Sequence, residues 1–138
     1  TNVVGSLLCA REAVKRLSTR HGGLGGAIVN VSSAAARLGS ANEYVDYAAS
    51  KGAIDTFTLG LAREVGAEGI RVNAVRPGLI HTQMHALGGE PQRIARLEHT
   101  VPMQRGGTAD EVARAILWLL SDDAAYVNGA ILDVTGGR

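Results

Sequence analysis

Three short apolar runs, Ala27 to Val31, Ile70 to Val75 and Ala130 to Val134, alternate with stretches of helical periodicity, and this alternation constrains the fold more than any other feature. The first run carries β-branched residues and suits a strand covered on both faces, as in a parallel sheet. Before it, apolar positions 3, 7, 10, 14 and 17 predict an amphipathic helix from Val3 to Leu17, closed by Gly22-Gly23. A long helix is expected from Glu43 to Val65, with Ile54, Phe57, Leu61 and Val65 inward and Gly66 near its end. Pro77-Gly78 should stop ladder pairing of the second strand and turn the chain outward. Thr108 and Glu111 form a capping box opening the last helix, whose Val112, Ile116, Leu119 and Leu120 should face inward. Between these elements, Leu79 to Gly107 mixes Gly88-Gly89, Pro91 and Pro102 around one periodic piece, Gln92 to Glu98, and reads as a mobile flap. The element order predicts an α/β fold, a right-handed winding with about three parallel strands. So narrow a sheet should need a missing half or another copy of itself beside its open edge.

The chain has 138 residues, a formal charge of +1, 46% hydrophobic residues and one cysteine. Near-neutral charge gives no reason to expect nucleic acid or an anionic membrane as a partner, and no apolar stretch approaches the ~20 residues of a membrane span. The expected setting is aqueous and cytoplasmic. Cys9 cannot form an internal disulfide and is expected to be a buried, inert thiol. Because the chain opens on Thr1 inside apparent helix, with no strand before it, it is expected to be a piece of a longer polypeptide.

The chemistry concentrates in Tyr47 and Lys51, preceded by Ser32-Ser33 at the end of an apolar run. Four residues apart on a helix, a Tyr and a Lys share a face, so the ammonium can sit near the phenol oxygen and favour its ionised form. Unit charges about 4 Å apart interact by ~4 kcal/mol at an effective dielectric of ~20. A Tyr so placed can take a proton from an alcohol or give one to a carbonyl at physiological pH. Tyr44 lies one turn before Tyr47 and could share that face; it is assigned to the pocket wall or to packing. His81 and His85 are also four apart, but no third ligand is placed, and no metal is expected. Arg11, Lys15, Arg16 and Arg20, interrupted by Glu12, form a basic stripe that is either a solvated face or a partner contact.

Asn2 at a helix start, Asn30-Val31-Ser32-Ser33, Tyr47-x-x-x-Lys51, Arg71-Val72-Asn73-Ala74-Val75-x-Pro77-Gly78 and the closing Gly136-Gly137 together resemble the short-chain dehydrogenase/reductase family. The resemblance covers essentially the whole chain and implies the C-terminal half of a Rossmann-type, doubly wound parallel sheet. No G-x-G-x-x-G stands in the sequence, so residues 1–138 would be the catalytic half of a single domain whose dinucleotide-binding half is absent.

The resemblance also implies roles. Tyr47 would be the general acid/base, and Lys51 would depress its pKa while bonding the nicotinamide ribose. Ser33 would polarise the substrate oxygen, with Ser32 as the alternative; a bulge within Ala41 to Asp46 would absorb one residue of extra spacing to Tyr47. Asn2 would hold a water in the proton relay from Lys51 to solvent. Pro77, Gly78, Ile80 and Thr82 would hold the nicotinamide carboxamide, and Gln83 or His85 could touch substrate from the flap. The implied activity is hydride transfer between NAD or NADP and a secondary alcohol or its ketone, with a finer likeness to bacterial sugar or polyol dehydrogenases such as glucose-1-dehydrogenase-like proteins. A 3-oxoacyl thioester reductase is the near rival, and a catalytically silent, self-associating module is the rival from another class. A homo-oligomer, dimer or tetramer, is expected.

Overall fold

The computed structural model describes residues 2–83, 87 and 89–138. Three strands, β1 (Gly26–Val31), β2 (Ile70–Pro77) and β5 (Ile131–Val134), form one parallel sheet in the order β1-β2-β5. Gly26 pairs with Ile70 at one end of the first ladder, and Pro77 with Val134 at the far end of the second. The helices are α1 (Val4–Leu17), α2 (Ala35–Leu38), α3 (Val45–Val65), α4 (Arg93–Leu97) and α5 (Ala109–Leu120).

Alternation along the strands splits the core into two layers. Ile70 and Val72 of β2 join Ala62 and Val65 of α3, with Val14 and Leu17 of α1 beside them. Val75 points the other way, into a cluster with Ile80, Val112 and Leu119, where α5 packs. Both faces of the sheet are therefore covered, which is why its strands read as continuous apolar runs. The observed α/β architecture is that of a Rossmann-type sheet with helices on either side.

Local chemistry sets the helix ends. The Thr108 hydroxyl accepts from the Glu111 amide at 3.2 Å and the Glu111 carboxylate accepts from the Thr108 amide at 2.8 Å, the reciprocal cap expected for α5. Arg105 braces the same carboxylate, at 2.5 Å and 3.0 Å, and with the Thr108 amide holds its pKa down to about 2.

Several boundaries differ from expectation. The first helix ends at Leu17 as expected, but Ser18 rather than Gly22-Gly23 closes it, the buried Ser18 capping a separate 3-10 turn at Thr19–His21. The long helix begins at Val45, leaving Tyr44 outside it in non-helical backbone (φ −140°, ψ 65°), so Tyr44 does not continue the face of Tyr47 and Lys51. Strand β2 runs through Pro77, and the ladder persists because the Gly78 amide reaches the Val134 carbonyl at 3.0 Å. Leu120 is exposed on α5, and Cys9 is exposed on α1 rather than buried. The basic stripe is largely an ion-pair cluster: Arg11, Lys15 and Arg16 all face the Glu12 carboxylate, while Arg20 pairs with Glu68.

The flap is tied at its base. Strands β3 (Ile80–His81) and β4 (Gly107–Thr108) pair in parallel, and the Gly107 amide donates to the Leu79 carbonyl at 2.8 Å. Its periodic piece forms α4. His85 lies outside the described residues; Gln83 is exposed, with its carbonyl accepting from the Leu87 amide.

Candidate active site

The sheet's carboxyl edge brings six of the predicted residues close together. Ser32 and Ser33 leave the end of β1, Pro77 and Gly78 the end of β2, and Tyr47 and Lys51 sit in the first two turns of α3. Ser33, Tyr47, Pro77 and Gly78 line a cleft of about 620 Å³, together with Leu79, Tyr44, Glu43, Glu90, Arg93 and Arg138. A cleft outside the carboxyl ends of parallel strands is where open α/β sheets bind ligands.

The two serines separate clearly. Ser32 is buried; its amide bonds the Val75 carbonyl at 2.9 Å and its hydroxyl donates to the Lys51 carbonyl at 3.1 Å, which fastens β1 to α3. Ser33 faces the cleft, and its oxygen accepts from the Ala35 amide at 3.1 Å. That bond uses a lone pair and leaves the hydroxyl proton available for an acceptor in the cleft. Between Ser33 and Tyr47 the chain coils through the short helix α2 and the left-handed residues Ser40 (φ 48°) and Asn42 (φ 61°), of which Asn42 lies within Ala41 to Asp46, the stretch where a bulge was expected.

Lys51 places its Nζ 5.7 Å from the centroid of the Tyr47 ring and donates to the Val31 carbonyl at 2.8 Å. Burial pushes its pKa below the ordinary lysine value, and the Asp55 carboxylate one helical turn on opposes that shift. Asp55 itself is buried beside Arg76, whose Nε and Nη2 reach the same Asp55 oxygen at 2.9 Å and 2.8 Å. A half-buried cation next to a phenol, with a hydroxyl across the same cleft, can orient an alcohol oxygen and move its proton.

Gly78 is required sterically: a Cβ there would lie 2.9 Å from the Thr135 Cα, because the turns after β2 and β5 pass each other closely. Gly136, with φ +66°, likewise has no room for a side chain against Val101 at the end of the flap. Of the remaining predicted residues, Ile80 is buried in β3 and Thr82 follows it, exposed, at the base of the flap. Asn2 is exposed just before α1, its carbonyl accepting from the Ser6 hydroxyl at 2.8 Å, and it does not line the cleft.

Charged groups that sequence reading did not single out complete the cleft. Arg93 of α4 bonds Glu43 at 2.5 Å and lies with its Cζ 5.8 Å from the Tyr44 ring centroid. The hydrogen bond to Arg93 holds the Glu43 carboxyl below its usual range. The two residues are 50 apart in sequence, so no local signal could have paired them. No group of three or more His, Cys, Asp or Glu side chains among the described residues could hold a metal ion. A larger hollow, about 760 Å³, lies at the amino-terminal edge of the strands and contains none of the predicted site residues; its Arg71 is occupied by the Leu119 and Ser121 carbonyls at 2.8 Å and 3.1 Å.

Comparison with known proteins identifies the family. The family model described as enoyl-(acyl carrier protein) reductase matches residues 1–138. The uncharacterized oxidoreductase YgfF of Escherichia coli K12 is 67% identical over 138 residues, covering 100% of this chain and 56% of that protein. The glucose and ribitol dehydrogenase homolog of rice, Oryza sativa subsp. japonica, is 41% identical over 140 residues, covering 99% of this chain and 46% of that protein. A crystal structure described as a putative 2-deoxy-d-gluconate 3-dehydrogenase from Agrobacterium tumefaciens, with NADP bound, superposes with a TM-score of 0.86 at 33% identity, over 99% of this chain and 55% of that one. The chain thus spans about half the length of the relatives it matches. With the family model matched over its whole length, and Ser33, Tyr47 and Lys51 gathered at the carboxyl edge of a parallel sheet, the chain belongs to the short-chain dehydrogenase/reductase family.

Proposed function

We propose that residues 1–138 form the C-terminal, catalytic half of an NAD- or NADP-dependent oxidoreductase acting on a secondary alcohol or its ketone, with the dinucleotide-binding half supplied by chain beyond this segment. The observation that carries the reading is the division of labour between adjacent serines: Ser32 is consumed by the Lys51 carbonyl, while Ser33 and Tyr47 share a cleft beside the Lys51 ammonium.

In oxidation, the Ser33 hydroxyl holds the substrate oxygen and Tyr47 acts as the general base that takes the alcohol proton as the carbinol C–H bond breaks; in reduction Tyr47 returns that proton to the developing alkoxide. A nicotinamide held beside Tyr47 and Lys51 would supply the hydride acceptor in oxidation and the hydride donor in reduction. Lys51 supplies positive charge beside the ring and a donor for the ribose hydroxyls. Pro77 and Gly78 line the cleft, and the family pattern would set the nicotinamide carboxamide against them and against Ile80 and Thr82, which lie outside that lining; the same pattern would give Asn2, also outside it, a water in the proton relay. The donor set fits such a cofactor: a cation, a phenol and a hydroxyl converge at the edge of the sheet where dinucleotides bind.

The intact protein is proposed to be a homo-oligomer in a cytoplasmic setting. In support of self-association, α5 and the turn after it expose Leu117, Trp118, Leu120 and Tyr126 together. Sugar or polyol substrates are favoured over a 3-oxoacyl thioester because Glu43, Glu90, Arg93 and Arg138 put charged groups into the same cleft as Ser33, among otherwise largely apolar residues. The test is an absorbance assay of the full-length protein with NAD and NADP against secondary alcohols, polyols and a 3-oxoacyl thioester. Turnover of the first two classes supports the reading. Exclusive use of the thioester replaces it with the rival reductase, and silence on all three, with a defined oligomer by light scattering, leaves the assembly module.

A further inference from the structure

Asp55 stands one helical turn beyond Lys51 and two beyond Tyr47 on α3, so the three side chains form one stripe. Its side chain is only 10% exposed. Arg76 of β2 answers it lopsidedly: Nε and Nη2 both reach Oδ2, at 2.9 Å and 2.8 Å, while Oδ1 is buried with no hydrogen-bond partner among the described residues. A pair that served only to tie α3 to β2 would be expected to place its two bonds on both oxygens, in the stronger, bidentate arrangement. A buried acceptor without a donor calls for an explanation, and away from water the field of its charge is weakly screened.

Lys51 is the group on that stripe that the charge can serve. It is half-buried, which disfavours its charged form, and Nζ bonds the Val31 carbonyl at 2.8 Å. Facing it are Tyr47 and Asp55 on α3 and that carbonyl on β1. Beyond Asp55 the charges alternate along the edge of the sheet: Arg76 on β2, Asp133 on β5 at 3.7 Å from Arg76, and Arg37 of α2 at 3.8 Å from Asp133. Asp55 is the carboxylate of that row that shares a helix with Lys51, and it opposes the downward push of burial on the Lys51 pKa.

We infer that Asp55 is a positioning residue for the reaction: it keeps the Lys51 ammonium charged beside the Tyr47 ring, while Arg76 fixes the carboxylate in place. A neutral amine could not favour the ionised phenol that proton transfer needs. The inference rests on the reading of Lys51 as the cation of the proton-transfer site; Asp55 acts through Lys51 and touches neither substrate nor cofactor.

The experiment follows the Lys51 side chain by NMR in the full-length protein, isotopically labelled at lysine Cε, with the resonance assigned by its loss in K51R. D55N should lower the Lys51 titration midpoint by about 0.5 to 1 pH unit, and D55E should restore most of it. D133N, which removes the carboxylate beyond Arg76, should leave the midpoint close to wild type. In D55N the alkaline limb of kcat/KM for alcohol oxidation should move down with the midpoint. Where D55N does not fold, D55N/R76Q, which leaves no unpaired buried ion, should still lower the midpoint. A midpoint unmoved in either variant, or moved equally by D133N, or an alkaline limb that stays in place, overturns the assignment and leaves the dehydrogenase reading standing. A lowered midpoint in a protein that turns over neither alcohol nor ketone upholds the coupling of Asp55 to Lys51 and fails the dehydrogenase reading instead.

Discussion

Replacing Asn73 by Ala should be among the most damaging single changes outside the cleft. Asn73 is fully buried in the middle of β2. Its Oδ1 accepts from the Ala130 amide and its Nδ2 donates to the Val127 carbonyl, both at 2.9 Å, so one side chain clamps the segment that leads into β5. Asn128, in that same segment, accepts from the Val72 amide at 2.9 Å and donates to the Ala62 carbonyl at 3.0 Å. Alanine would orphan the Ala130 amide outright and leave the Val127 carbonyl only the longer, 3.4 Å contact from Arg71. An orphaned buried donor, a weakened acceptor and a small void together cost about 3–4 kcal/mol. Equilibrium urea unfolding of the full-length protein measures this as a fall in the midpoint at unchanged slope. Asn73→Asp sharpens the test, because an ionised carboxylate there faces the Val127 carbonyl and is desolvated, whereas the protonated acid can donate to it. Relative to wild type at each pH, the Asp variant should therefore recover stability on acidification. A loss below about 1 kcal/mol for the Ala variant, or no pH dependence of the Asp variant, would refute the clamp.

The adjacent serines should part company under mutation: Ser33→Ala should lower kcat/KM by about 10²-fold or more with stability nearly unchanged, while Ser32→Ala should cost about 1 kcal/mol of stability and leave the kinetics close to wild type. Equal kinetic loss in both would undo their assignment. Gly78→Ala should destabilise by about 1–3 kcal/mol through the clash with Thr135, seen as a lower thermal midpoint; a neutral outcome would mean that the two turns separate freely. Glu111 should titrate near its depressed value of about 2 by carboxyl NMR. Its folded-state pKa lies below that of the unfolded chain, so its contribution to stability is fully present above the ordinary carboxylate range and is lost as pH falls from there through about 2. A midpoint in the ordinary range would show that neither the Arg105 pair nor the cap persists in solution.

What could be read from the sequence was what depends on neighbours a few residues away. The three strands, the helix from Val4, the Thr108–Glu111 cap and the Tyr47–Lys51 spacing follow from short-range periodicity and hydrogen bonding, and the structure has each of them. The features that escaped depend on distant partners. The pairing of Ile80 with Gly107 has no local pattern, nor has the contact of Arg93 with Glu43, because both are made across the fold. Leu120 and Cys9 sit at positions with apolar neighbours, yet the helices turn them outward, since periodicity gives the existence of a face and not its width. Tyr44 lost its place on the helix because the left-handed backbone at Ser40 and Asn42 delays the start of α3. Whether Ser32 or Ser33 faces the cleft could not be read from two adjacent identical residues; burial and the bond to the Lys51 carbonyl separate them.

The catalytic assignment meets its most direct test in Tyr47→Phe, made in the full-length protein and assayed in parallel for turnover and for nicotinamide binding by fluorescence. Removing the phenol oxygen while keeping the ring should lower turnover by about 10²- to 10⁴-fold and leave the affinity for NADH or NADPH within a few-fold of wild type. Turnover retained at the wild-type level, or cofactor binding lost along with it, would contradict Tyr47 as the proton-transfer group.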